Sequence, residues 1–123
     1  VRRILVVDDE LDGCEPVVRA LERSGFHVTC CPDGRSALAT LVNSSWDAAV
    51  LDVRMPQMDG VQLLEVLRSY LRFSTLPVII LTAHATPEQL DRIRELNVER
   101  VFQKANYDLP DLIRAVAQAL PPC

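Results

Sequence analysis

The chain has 123 residues, enough for one domain with a real core. With 13 basic and 17 acidic side chains its net charge is −4, so the surface as a whole does not invite nucleic acid or an anionic membrane. No apolar run approaches the ~20 residues that cross a bilayer, and the stretch after Arg2 and Arg3 is too short for a secretory signal.

The first predicted strand, Ile4–Val7, runs straight into Asp8, Asp9 and Glu10. Cys14, Val17, Val18 and Leu21 then repeat at helical spacing, and Asp12 with Glu15 forms a D-x-x-E box that predicts the helix start at Asp12, with Pro16 near the end of its first turn. A second strand, Phe26–Cys31, is followed by an Asp33-Gly34 turn. Next comes a helix face of Ala37, Leu38, Leu41 and Val42, which Asn43-Ser44-Ser45 ends. The third strand, Ala48–Leu51, meets Asp52 in "AAVLDVRMPQMDG", and Val61, Leu64, Leu67 and Leu71 form the third helix face. The fourth strand, Pro77–Leu81, meets Thr82 in "PVIILTAH". Thr86-Pro87-Glu88 then reads as a cap followed by proline at the first helical position, opening a helix with Leu90, Ile93 and Leu96. The fifth strand, Val98–Phe102, leads to Lys104. Asp108 is placed to cap the last helix, with Pro110 in its first turn and Leu112, Ile113, Val116 and Leu120 on its apolar face. Residues 1–120 read as one domain, and 121–123 as the start of a linker, because consecutive prolines cannot extend a helix. Cys14, Cys30, Cys31 and Cys123 include no C-x-x-C pair. They read as reduced thiols in a cytoplasmic protein, with adjacent Cys30 and Cys31 on opposite faces of a strand.

Five strands alternating with five helices predict an α/β, doubly wound fold. Strands that are apolar throughout predict a parallel sheet covered on both sides. In such a sheet function sits at the carboxyl ends of the strands. Asp8 and Asp9, Asp52, Thr82 and Lys104 all fall there. A lone aspartate after a strand is usually a helix cap and a lone lysine is usually solvated, but four of five strands ending this way is hard to explain as capping. Three carboxylates at one edge repel unless a cation joins them, and oxygen ligands with open positions suit Mg²⁺. A carboxylate there could attack a phosphoryl group, with Lys104 and Thr82 stabilising the phosphoryl oxygens.

The pieces "ILVVDDE", "LDVRMPQMDG", "ILTAH" and the lysine of "VFQKA" resemble the receiver domain of bacterial two-component response regulators. The resemblance covers essentially the whole chain, with steps of 44, 30 and 22 residues from Asp8 to Asp52 to Thr82 to Lys104. It implies a flavodoxin-like, CheY-like (βα)5 sheet of strand order 2-1-3-4-5. It implies that Asp52 accepts a phosphoryl group from a histidine kinase or phosphotransfer protein, and that the domain then switches its partner-binding surface. Asp9, Asp52 and the backbone carbonyl of Arg54 would bind Mg²⁺ directly, and Asp8 largely through water. Pro56 and Gly60 would shape the loop beneath, and Asp59 would cap the third helix. The family's partners further imply a homodimer through the last helix and strand, and a C-terminal effector domain, with no nucleic acid or membrane bound by this domain. Beyond its own phosphorylation and dephosphorylation no enzyme activity is implied.

Three positions depart from the family pattern. The lysine is followed by Ala105 where the family has proline, Asn106 stands as an inserted residue before Tyr107-Asp108-Leu109, and Val101 replaces an aromatic residue. Without proline the Lys104–Ala105 peptide should be trans, since cis there costs ~3 kcal/mol. Other readings weighed are a receiver-like interaction module that is never phosphorylated and the receiver part of a hybrid histidine kinase. A haloacid-dehalogenase-type phosphatase fits less well, because Arg54 stands where its D-x-D motif needs a second aspartate.

Overall fold

A computed structural model describes residues 2–121; Val1 and two of the three predicted linker residues, Pro122 and Cys123, lie outside the described residues. The strands are β1 (Arg3–Val7), β2 (His27–Cys31), β3 (Ala48–Leu51), β4 (Val78–Thr82) and β5 (Arg100–Gln103). The helices are α1 (Leu11–Arg23), α2 (Gly34–Val42), α3 (Gly60–Ser69), α4 (Pro87–Glu95) and α5 (Leu109–Ala119). The five strands form one parallel sheet in the order β2-β1-β3-β4-β5, the predicted doubly wound, CheY-like arrangement.

Strand alternation divides the core in two. Leu5, Val7, Ala49, Leu51, Val78 and Ile80 face α2, α3 and α4, packing on Leu41, Leu64, Leu67 and Ile93. Ile4, Val6, Val50, Ile79, Leu81 and Phe102 face α1 and α5, packing on Val17, Leu21, Leu112 and Val116. Val101 joins the first layer and Phe102 the second, as period-two geometry requires. Cys31 and Cys30 divide in the same way.

Two of the four predicted caps, Asp59 and Thr86, form side-chain cap bonds, and the predicted turn residue Asp33 makes one as well. Asp59 and Gln62 make a full capping box on α3, as do Thr86 and Gln89 on α4, and Asp33 accepts from the Ser36 amide at the start of α2. Asp108 stands at the N-cap of α5 but makes no side-chain cap bond. Two expectations need correcting. First, α1 starts at Leu11 behind Glu10, not at Asp12, and has no side-chain cap bond. The amides of Gly13 and Cys14 already reach the Glu10 carbonyl, at 3.1 Å each, so Pro16 lies inside the helix. Second, α3 ends before Leu71. Tyr70 adopts extended backbone, a 3₁₀ turn follows at Leu71–Phe73, and Phe73 fills the core while Leu71 is 93% exposed. The described residues contain no cis peptide, so Lys104–Ala105 is trans as expected.

Arg68, at the end of α3, holds the lower edge of the first layer together. Its guanidinium donates to four carbonyls: Leu96 at 2.8 Å, Phe73 at 2.9 Å, Leu76 at 2.8 Å and Asn97 at 3.0 Å. The last carbonyls of a helix have no partner within it, and Arg68 supplies one at the end of α4. Burial pulls its pKa below the ordinary value, and Glu99 opposes this only in part. Arg68→Met keeps the aliphatic stem and removes all four donors. It should cost about 2–4 kcal/mol in urea unfolding; a loss under about 0.5 kcal/mol would mean that water replaces the clasp.

Candidate functional site

The carboxyl edge of the sheet is fixed by backbone bonds that continue the ladders one residue past the strands. The Asp8 amide donates to Cys31 O at 3.0 Å, the Asp52 amide to Val7 O at 2.9 Å, and the Lys104 amide to Thr82 O at 2.9 Å. Each of these residues is therefore held by the neighbouring strand. The segment after Asp52 folds back, with the Gly60 amide donating to Val53 O at 2.8 Å. A Cβ at Gly60 would lie 2.1 Å from the Asp52 carbonyl oxygen, so only glycine lets α3 begin this close to the acidic residue. That close approach is the physical content of the "M-D-G" motif.

The predicted residues converge. One carboxylate oxygen from each of Asp8, Asp9 and Asp52 lies within 4.8 Å of the others. Asp8 and Asp52 are buried, at 3% and 4% exposure, whereas Asp9 faces solvent. Lys104 reaches both buried carboxylates, with Nζ 2.8 Å from Asp8 Oδ2 and 3.2 Å from Asp52 Oδ2. Asp8 Oδ1 also accepts from the Glu10 amide at 2.9 Å, and Asp52 Oδ1 from the Arg54 amide at 3.3 Å. Glu10 itself is exposed.

Thr82 is buried at the end of β4, but its hydroxyl is engaged elsewhere. It donates to the His84 carbonyl at 2.9 Å and accepts from the His84 amide at 3.2 Å. Beside it a cavity of about 130 Å³ is lined by Thr82, His84, Leu90, Val101 and Gln103, among others. Val101 leaves this space open.

The electrostatics are unbalanced. Burial pushes the Asp52 carboxyl above its ordinary pKa; Lys104 opposes this and Asp8 adds to it. Burial alone would lower the Lys104 ammonium, but the two carboxylates outweigh it and hold the group above its ordinary value. Three carboxylates against one ammonium leave two negative charges at this edge. A divalent cation would balance them, and a donor set made only of oxygen suits a hard ion. The residues therefore fit a metal.

Sequence reasoning missed two members of this neighbourhood. One is the Arg54 amide, whose bond to Asp52 is a backbone event with no residue signature. The other is Tyr107, partly buried, whose phenol is raised by burial, lowered by Lys104 and raised again by Asp8. Its place near the lysine was implicit in the shifted Tyr107-Asp108-Leu109 segment.

Fold and site together define a doubly wound α/β domain with an acidic edge, a bridging lysine and a strand-end hydroxyl. A family model, the response regulator receiver domain, matches residues 4–117, and the chain belongs to that family. It is 38% identical over 121 residues to the regulatory protein AtoC of Escherichia coli (strain K12), covering 98% of this chain and 25% of that one. It is 42% identical over 96 residues to the regulatory protein VanRc of Enterococcus gallinarum, covering 78% and 39%. The chain thus spans less than half the length of these curated relatives. Among solved structures, the Vibrio cholerae chemotaxis protein CheY4 superposes with a TM-score of 0.88 at 25% identity, covering 98% and 99% of the two chains. The receiver domain of a Syntrophus aciditrophicus signal transduction histidine kinase gives 0.88 at 29% identity, covering 98% and 90%. Membership of the family carries a phosphoacceptor role in two-component signalling.

The charge imbalance has a testable sign. A carboxyl whose folded pKa lies above its unfolded value stabilises the fold most when protonated, and that contribution is lost as pH rises through the folded pKa. Asp52→Asn removes the ionisation. In metal-free buffer at pH 7 its Tm should exceed that of the wild type, and the difference should shrink as pH falls through the carboxylate range. A variant less stable at pH 7 would refute the crowding account.

Proposed function

We propose that Asp52 is the phosphoacceptor and that Mg²⁺ is the metal of the acidic edge. The observation that carries this is the shared ammonium of Lys104, held between Asp8 and Asp52 beside a third carboxylate. Asp8, Asp9, Asp52 and the Arg54 carbonyl would hold the ion. When bound, it supplies positive charge to the phosphoryl oxygens and offsets the surplus charge at the edge.

Asp52 attacks the phosphorus of a phosphohistidine on a kinase or phosphotransfer protein. The P–O bond forms as the P–N bond breaks, and the imidazole keeps the electron pair. Lys104 already touches Asp52, so it can pass to a phosphoryl oxygen without leaving Asp8. Thr82 must first release the His84 carbonyl before its hydroxyl can donate to the phosphoryl group. That release frees the loop leading to α4. The chain acts on no other substrate in this reading, and works in the cytoplasm. Further proposed partners are a C-terminal effector domain, as the regulatory names of the longer relatives suggest, and a second copy of the chain through β5 and α5.

Two measurements test the chemistry. Mg²⁺ at 10–100 times its Kd should stabilise the fold by about 1–3 kcal/mol, and Asp9→Ala should remove most of this. Acetyl phosphate with Mg²⁺ should add one alkali-labile phosphoryl group, abolished in Asp52→Asn. Label that persists in that variant would place the acceptor elsewhere.

The switch should differ from a ring rotation. Val101 is β-branched, limited in its rotamers, and has no ring to turn into the cavity beside Thr82. Beryllofluoride should therefore shift the amides of Thr82 and of residues 83–86, while Val101 keeps its rotamer. Equal shifts centred on Val101 and Phe102 would contradict this.

A further inference from the structure

Two thiols face each other beneath the acidic edge. Cys14 lies in the first turns of α1, Cys30 lies in β2, and their Sγ atoms are 3.1 Å apart. A disulfide needs a separation of about 2.05 Å, so the sulfurs would close by roughly 1 Å. Both belong to the same apolar layer: Cys14 is 4% exposed within it, and Cys30 packs against it while remaining partly open to solvent. Cys31 faces the opposite layer, where its Sγ donates to the Thr40 hydroxyl at 3.4 Å. Strand alternation thus presents Cys30, and not its neighbour, to α1.

We infer that Cys14 and Cys30 form a two-electron redox site, which a peroxide-class oxidant closes into a disulfide tying α1 to β2. The thiolate of Cys30, the more exposed partner, attacks one peroxide oxygen; the O–O bond breaks, hydroxide leaves, and Cys30 becomes a sulfenic acid. The Cys14 sulfur then attacks the Cys30 sulfur, the S–S bond forms, the S–O bond breaks, and the oxygen departs as water. Two thiols lose two electrons and two protons, and hydrogen peroxide becomes two waters.

The pair reacts slowly at neutral pH. Burial pushes the Cys30 thiol up to about 12, with the Cys14 hydrogen bond and the charges of Cys14, Cys31 and Asp8 adding to the effect. The reactive thiolate is therefore scarce near neutrality and more abundant in alkali. A pair of this kind records sustained oxidation and does not scavenge peroxide. The bond would close a loop between residues 16 apart, holding the rest of α1 and the turn into β2. It would also pin the first turns of α1, which follow directly on Asp8, Asp9 and Glu10.

The test uses the folded chain carrying Cys123→Ser, treated with hydrogen peroxide in mildly alkaline buffer, then unfolded and alkylated. The expected product has lost two hydrogens, joins the Cys14 and Cys30 peptides, leaves Cys31 alkylated, and reverts with dithiothreitol. Its Tm should rise by on the order of 10 °C, the scale expected for a loop of this length in a small domain. Cys14→Ser and Cys30→Ser should each abolish the product, and Cys30→Ser, on the less buried partner, decides if Cys14→Ser fails to fold. Recovery of both thiols, arrest at a sulfinic acid on Cys30, a bond to Cys31, or a cross-link that forms only in denaturant would each overturn the inference.

Discussion

One ammonium shared by two buried carboxylates governs this edge of the molecule. Parallel strands send every carboxyl terminus the same way, so whatever follows them is crowded into one crevice. Here that crowding puts Asp8 and Asp52 out of water together. Lys104 touches both, and the Glu10 and Arg54 amides each add one hydrogen bond. A buried charge left without a partner is strongly destabilising, so the position of β5 at the sheet edge is tied to the acidic residues two and three strands away. The same incomplete compensation makes the site receptive to a cation.

The architecture was legible because two periods dominate the sequence. Uninterrupted apolar runs such as Ala48–Leu51 and Pro77–Leu81 fit only strands covered on both faces, and the structure buries β3 and β4 completely. The boundaries that misled were set by the backbone. The Asp12 and Glu15 pair looked like a cap, but the acidic loop had already turned, and the Glu10 carbonyl accepted the first helical amides. Leu71 continued a helical spacing that the extended backbone at Tyr70 interrupts, and no residue type announced that break.

The site was legible for a different reason. Its members come from four segments widely separated in sequence, but each lies at or just past the carboxyl end of a strand, so topology brings them together without any detail of side-chain packing. Asp8, Asp9, Asp52, Thr82 and Lys104 needed only the strand assignments. What could not be read was the engagement of each group. That Thr82 is tied to His84, or that Arg54 gives its amide to Asp52, depends on loop geometry that composition does not encode. The consequence of Val101 was partly readable, because small size implies space, and a cavity lies there.

The clasp of Arg68 has a mechanical corollary. It grips the carbonyls of Leu96 and Asn97 just past α4, and Arg92 reinforces that end through Glu65 at 2.9 Å. The opposite end of α4 is capped by Thr86, in the loop that the Thr82 hydroxyl restrains. The helix is thus gripped by Arg68 at its Leu96 end and joined to the Thr82 loop at its Pro87 end. Nine residues at ~1.5 Å each make an arm of about 13 Å, so a tilt of roughly 10° carries its tip some ~2 Å. A tilt of that size about Leu96 would move the Pro87 end, which follows the loop that Thr82 restrains, and leave the sheet in place.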